Sequence, residues 1–145
     1  MAKFDNLYPY ITSAFKVEIE GVQEASFKEC SGLEAETEIL SFEEGGVNDY
    51  IHKLPGRTKH PNVVLKRGIT EFGLLWDWYQ KVAQGKVERK NVSIVMFNSE
   101  GEEVKRWSFD RAYPVKWSGP GLKADENSVA IETLELAHEG MKSAK

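Results

Sequence analysis

Three histidines, one cysteine and two adjacent acid pairs are the residues whose types and spacing invite a chemical role in this chain. His52, His60 and His138 are far apart in sequence. Glu135-Leu136-Ala137-His138 spells Glu-x-x-His, which on a helix would supply half of a di-metal carboxylate site. A second copy is missing, and the segment alternates as a strand does. A nucleophilic Cys30 would need a nearby base and an electropositive setting, whereas its neighbour is Glu29. It reads instead as a small buried apolar residue near a strand end. As the only cysteine it excludes an internal disulfide and a thiolate metal cage. Glu43-Glu44 and Asp125-Glu126 fall in predicted loops, where solvation is the simpler role. No Gly-x-Ser-x-Gly elbow, Walker loop or Gly-x-Gly-x-x-Gly fingerprint occurs. The expectation is a protein that is not an enzyme and uses no cofactor or metal.

Charge is more informative. Lys53, Arg57, Lys59, Lys66 and Arg67 cluster within residues 43–68, with Tyr50 close by. Such a set could grip phosphates and stack on a base, but the formal net charge is −4, and nucleic-acid modules are usually basic overall. From Val17 to Glu44 there are nine glutamates and one lysine, whereas residues 43–68 hold five Lys or Arg and three acids. The chain thus offers an acidic stretch followed by a basic one. A basic loop docking on the acidic surface of another copy fits this better than a solvated loop or a nucleic-acid site.

The elements that position these residues read as mainly β. Phe15, Val17 and Ile19 alternate with Lys16, Glu18 and Glu20. A turn at Gly21 leads to a return strand from Ala25 to Cys30. Leu33, Ala35, Thr37 and Ile39 then alternate with Glu34, Glu36 and Glu38, giving one dry and one wet face. Residues 43–62 carry glycine and proline without periodicity and are expected as a long loop with a dedicated role. A strand at 62–66 precedes the one clear helix, over 71–84, capped by Thr70 and ended by Gly85. Phe72, Leu75, Trp76, Tyr79, Val82 and Ala83 make its apolar stripe, which Leu74 and Trp78 widen either toward a second surface or into a deeper groove within the monomer. Asn91–Asn98 reads as a central strand and Ser99–Glu102 as a hairpin turn into 103–110. A short strand at 115–117 follows, then a last one at 128–137. There Val129 and Ile131 differ in parity from Leu134 and Leu136, suggesting a bulge or a switch of surface.

At 145 residues, 41% hydrophobic and 29% charged, the chain suits one folded domain, 1–145, with residues 1–10 as an N-terminal arm. No apolar run nears the roughly 20 residues that span a bilayer, and the first residues lack the apolar core of a signal peptide. Synthesis in the cytoplasm and no stable membrane insertion are expected.

Phe15-Lys16-Val17-Glu18-Ile19, Ser31-Gly32-Leu33, Glu44-Gly45-Gly46, Leu54-Pro55-Gly56, Leu65-Lys66-Arg67-Gly68, Trp107-Ser108-Phe109, Pro114-Val115-Lys116-Trp117 and Ile131 through Gly140 come in an order that resembles the tail-tube family of contractile phages and phage-derived injection systems. The resemblance covers about residues 8–141, with Cys30 and Met141 where aliphatic residues are expected. It implies an antiparallel β-sandwich or barrel with one flanking helix, forming hexameric rings that stack into a hollow tube for DNA or effector delivery. Implied partners are further copies of the chain, a contractile sheath, baseplate, spike and tube-terminating proteins, and cargo in the lumen. The particle would be a phage tail or an injection system. Contacts between subunits or rings are expected from Glu44, Gly45, Gly46, Asn48, Lys53, Leu54, Pro55, Gly56, Arg57, Lys59, Lys66, Arg67 and Gly68. Glycines 45, 46, 56 and 68 would allow positive φ and close backbone approach. Glu34, Glu36 and Glu38 are expected to line the lumen, on the strength of their one-sided alternation. Alternatives are a type VI secretion-like tube protein, a tube-initiating adaptor, or a non-polymerising nucleic-acid-binding β-domain.

Overall fold

The computed structural model describes residues 14–21, 27–42, 51–70, 73–125 and 127–144. Residues 1–10 and Glu44, Gly45, Gly46 and Asn48 lie outside the described residues. Alternating apolar residues build most of the strands. β1 (Ala14–Ile19), β2 (Glu29–Ser31), β3 (Glu36–Phe42), β4 (His52–Lys59) and β5 (Val63–Gly68) precede the helix α1 (Leu74–Ala83). β6 (Lys90–Phe97), β7 (Glu103–Ser118), β8 (Ile131–Ala137) and β9 (Met141–Ala144) follow it.

Among the described residues, the main sheet runs β1-β6-β7-β8-β5-β2, with β9 also on β7, and every pairing is antiparallel. β7 serves both halves of this sheet. Its first part pairs with β6 and β9, and Tyr113–Ser118 pairs with β8. Arg111 takes a positive φ of 52° at the junction, and the register shifts again between Pro114 and Lys116. Proline donates no ladder hydrogen bond, so a buried Pro114 at a bulge is where a strand tolerates it. The sequence reads two strands here because Pro114 interrupts the pattern; the chain makes one. Val17, Ile19, Val92, Ile94 and Phe109 from one half meet Val63, Leu65, Leu134 and Leu136 from the other in one core.

β2 does not return beside β1 as the sequence suggests, but pairs with β5. The helix starts later than expected: Gly73 is its N-cap, and no side chain caps it. Gly85 ends it as expected, at φ 87°, its N–H bonded to the Val82 carbonyl. For Trp78 the groove within the monomer is the reading that holds. This side chain is buried with Leu75 in the core, and its indole N–H donates to the Glu88 carbonyl at 2.7 Å. Leu74 and Trp76 face outward, and Trp76 packs edge-on against Trp117.

β8 shows no bulge against β5, for its register runs unbroken from Ile131 to Leu136. The inward residue that breaks the apolar parity is Glu132, 4% exposed. It is held by Arg67 Nε at 2.9 Å and Trp117 Nε1 at 2.8 Å.

Candidate assembly surface: the β3–β4 arm

The largest departure from the sequence reading is at residues 52–59, expected as loop and found as strand β4. It pairs with β3 in a two-stranded sheet separate from the main one. Both strands are almost wholly exposed. A ladder covered on neither face has no inward row of apolar residues, so the periodicity that marks strands is missing. Opposed residues share a face, which puts Leu40, Phe42, His52 and Leu54 on one side and Ile39, Ser41, Lys53 and Pro55 on the other. Phe42 and His52 stack at 5.1 Å.

Among the described residues the dry face expected for Ile39 is therefore absent: Ile39 is 63%, Leu40 54% and Leu54 50% exposed. An isolated two-stranded ribbon is marginal in water, and exposed apolar clusters of this kind mark contact sites. The register shifts opposite Glu38, where Gly56 and Arg57 of β4 face that one residue, so the extra residue lies in β4 and β3 keeps its alternation. Glu34 and Glu36 are exposed, and Glu38 bonds Lys59 at 2.6 Å. Gly56 sits against that irregularity; a Cβ there would lie 3.2 Å from the Glu38 carbonyl oxygen.

The expected contact residues separate into groups. Lys53, Leu54, Pro55, Gly56, Arg57 and Lys59 lie together on β4. Lys53 and Arg57 are exposed, and neither makes an ion pair among the described residues. Lys66 is on the outer face of β5, 3.3 Å from Glu29. Arg67 is not a surface contact at all: it is 4% exposed and bound to Glu132. Its long side chain reaches inward because a carboxylate waits there. Gly68 has an ordinary φ and only normal contacts, so the expected special backbone does not apply. Gly32 is the glycine that needs it, at φ 98°, where a Cβ would lie 2.3 Å from the Asn62 carbonyl oxygen. Its place just before a polar alternating stretch hints at a turn, but only the fold shows what it approaches.

Of the residues weighed for chemistry, His60 and His138 come together, their rings 5.7 Å apart, while Cys30 and His52 stand elsewhere. Burial pushes the Cys30 thiol up to about 11, which keeps it protonated and a poor nucleophile. Glu135 accepts from Asn62 Nδ2, and His138 bonds the Pro61 carbonyl. Among the described residues no three His, Cys, Asp or Glu gather as metal ligands, and no helix is long and apolar enough to cross a membrane.

A β-domain with one flanking helix and an exposed hairpin arm defines the class: the tail-tube fold. Comparison with known proteins agrees. The model of the T4-like virus tail tube protein gp19 family matches residues 12–142. No curated protein matches the sequence. A chain in the cryo-EM structure of the anti-feeding prophage (AFP) baseplate is 27% identical over 94% of this chain and 96% of that one, with a TM-score of 0.81. A chain in the extended-state sheath/tube terminator of PVC, an extracellular contractile injection system, is 25% identical, with 95% and 98% covered and a TM-score of 0.85. Hcp1 from Flavobacterium johnsoniae shares the fold alone, at 15% identity, 89% and 93% coverage and a TM-score of 0.56. The chain belongs to the T4-like virus tail tube protein family. It is a tail tube protein of the contractile-tail type.

Proposed function

We propose that this protein is the repeating inner-tube subunit of a phage tail or injection-system particle, with a mechanical and not a catalytic role. Copies form hexameric rings, rings stack into a hollow tube, and the tube runs inside a contractile sheath between a baseplate or spike and a terminating protein. The AFP and PVC structures it resembles, of a baseplate and a sheath/tube terminator, support such partners. Cargo in the lumen is DNA or an effector. The observation that carries the reading is the β3–β4 arm, with apolar residues on both faces and no core of its own to bury them.

Head-to-tail contacts that close by rotation make a ring, whereas stacking has no closure and makes a filament. The arm supplies such a contact through Leu40, Leu54 and Ile39. Lys53 and Arg57, which make no ion pair among the described residues, meet carboxylates of the next copy, of which this chain carries an excess. Glu44, Gly45, Gly46 and Asn48 belong to the contacts between copies by the same family resemblance. The test is electron microscopy of the purified protein beside Lys53→Glu/Arg57→Glu. The wild type is expected to form rings or tubes, and the charge-reversed protein to remain folded by circular dichroism but unassembled. Normal tubes from the variant would remove these two residues from the contact, and a monomeric wild type at high concentration would sink the reading.

A further inference from the structure

A histidine pair sits at the root of the arm, where His60-Pro61-Asn62 leads from β4 into β5. The His60 and His138 rings lie 5.7 Å apart, and His138 stands edge-on to Phe109 at 4.7 Å. The Gly140 N–H donates to His138 Nδ1 at 3.2 Å. That leaves the neutral ring's proton on Nε2, which donates to the Pro61 carbonyl at 3.3 Å. One residue on, Asn62 Nδ2 donates to Glu135 Oε2 at 2.8 Å. The other root of the arm, Gly32, approaches the Asn62 carbonyl so closely that a Cβ there would lie 2.3 Å from its oxygen. Both roots therefore meet at Asn62, and β8 with its following turn holds them through Glu135 and His138.

We propose that His60 and His138 form an acid-sensitive latch that fixes the root of the arm near neutral pH and releases it on acidification. A proton added to His138 Nδ1 turns its acceptor into a donor facing the Gly140 N–H. It also puts a positive charge against the second imidazole, whose own Nδ1 is buried with no hydrogen-bond partner among the described residues. The charged groups around the pair are largely engaged. Asp110 of β7 bonds Lys142 of β9 at 3.4 Å, Arg111 of β7 bonds Glu139, and Glu135 holds Asn62. Burial first, and the neighbouring His60, hold His138 below its ordinary 6.5, against the opposing pull of its hydrogen bonds and Asp110. A histidine lowered in the folded state binds its proton more readily when released. The latch is thus complete above about 6.5 and weakens as pH falls toward the lowered value.

The consequence for assembly rests on the arm being the contact between copies: a loosened root weakens tubes in acid. Hydrogen exchange of the whole protein at about pH 7.5 and about pH 5.5, corrected for intrinsic rates, reads the root directly, with tube sedimentation in parallel. Protection of peptides spanning residues 58–66 is expected to fall in acid by up to about tenfold, the ceiling at about pH 5.5 for a group whose ordinary value is 6.5, while β6 stays unchanged. His138→Gln keeps a donor for Pro61 but cannot titrate, and its root should stay protected. Where that variant folds poorly, His60→Gln removes the second imidazole and should reduce the acid response. Equal protection at both pH values in the wild type, or full acid sensitivity in both variants, overturns the latch. Loosened roots with intact tubes support the latch and overturn the arm's part in assembly.

Discussion

Arg67 and Glu132 show what a single buried pair does for this fold. The two are 2.9 Å apart between β5 and β8, both 4% exposed, with the Trp117 indole N–H on the second carboxylate oxygen. Taking one charge away leaves the other in the core without it, a loss of about 3–5 kcal/mol, whereas removing both costs much less. Glu132→Leu is therefore expected to lower the urea-unfolding free energy by about that amount. Arg67→Met/Glu132→Leu should recover most of it, short of the roughly 1–3 kcal/mol for an unpaired Trp117 N–H. Additive losses in a double-mutant cycle would show that the pair does not act as a unit. In the sequence this pair was hidden. Arg67 looked like one member of a basic cluster, and Glu132 broke the apolar alternation of its strand in a way that imitated a bulge. Burial of two charges becomes legible only when the partner is known, and 65 residues separate these two.

At the scale of elements, strands with one dry face were plain in the sequence and the arm was not. β1, β5 and β6 follow their alternating or continuous apolar residues, with Val17, Ile19, Val63, Leu65, Val92 and Ile94 in the core. β9 was missed because Met141–Ala144 offers four residues with only Met141 packed against the core. β4 was missed because a strand carrying Pro55 and Gly56 and exposed on both faces has no inward row to betray it. The same exposure gives a prediction that separates folding from assembly. Since Leu40 and Leu54 oppose each other on the arm and are about half exposed in the single chain, charging them costs the monomer little. Leu40→Asp/Leu54→Asp is expected to shift unfolding by no more than about 1 kcal/mol, yet abolish sedimenting tubes, because carboxylates buried at a contact lose their hydration. Tubes of normal length from this variant would exclude that face of the arm from the contact.

For the whole molecule the issue is where its negative charge goes when copies assemble. The chain carries 23 acids against 19 Lys and Arg, and like charge repeated around a ring and along a stack produces a field no single subunit has. We propose that Glu34, Glu36 and Glu38 contribute that field at the lumen. Glu34 and Glu36 are exposed, and Glu38 is half exposed beside Lys59. The extra residue opposite Glu38 belongs to β4, so β3 keeps the one-sided alternation, and exposure and sign support the same reading. A negative wall repels nucleic acid and acidic cargo and so keeps the channel from holding what it must pass. Glu34→Gln/Glu36→Gln/Glu38→Gln removes three negative charges per subunit and frees Lys59 from its partner. Its tubes should assemble normally but retain polyanions, read as nucleic acid bound at low salt and released as counterions screen the wall. Retention equal to the wild type at every salt concentration would place these glutamates away from the channel. Failure to form tubes at all would move them into the contact between copies.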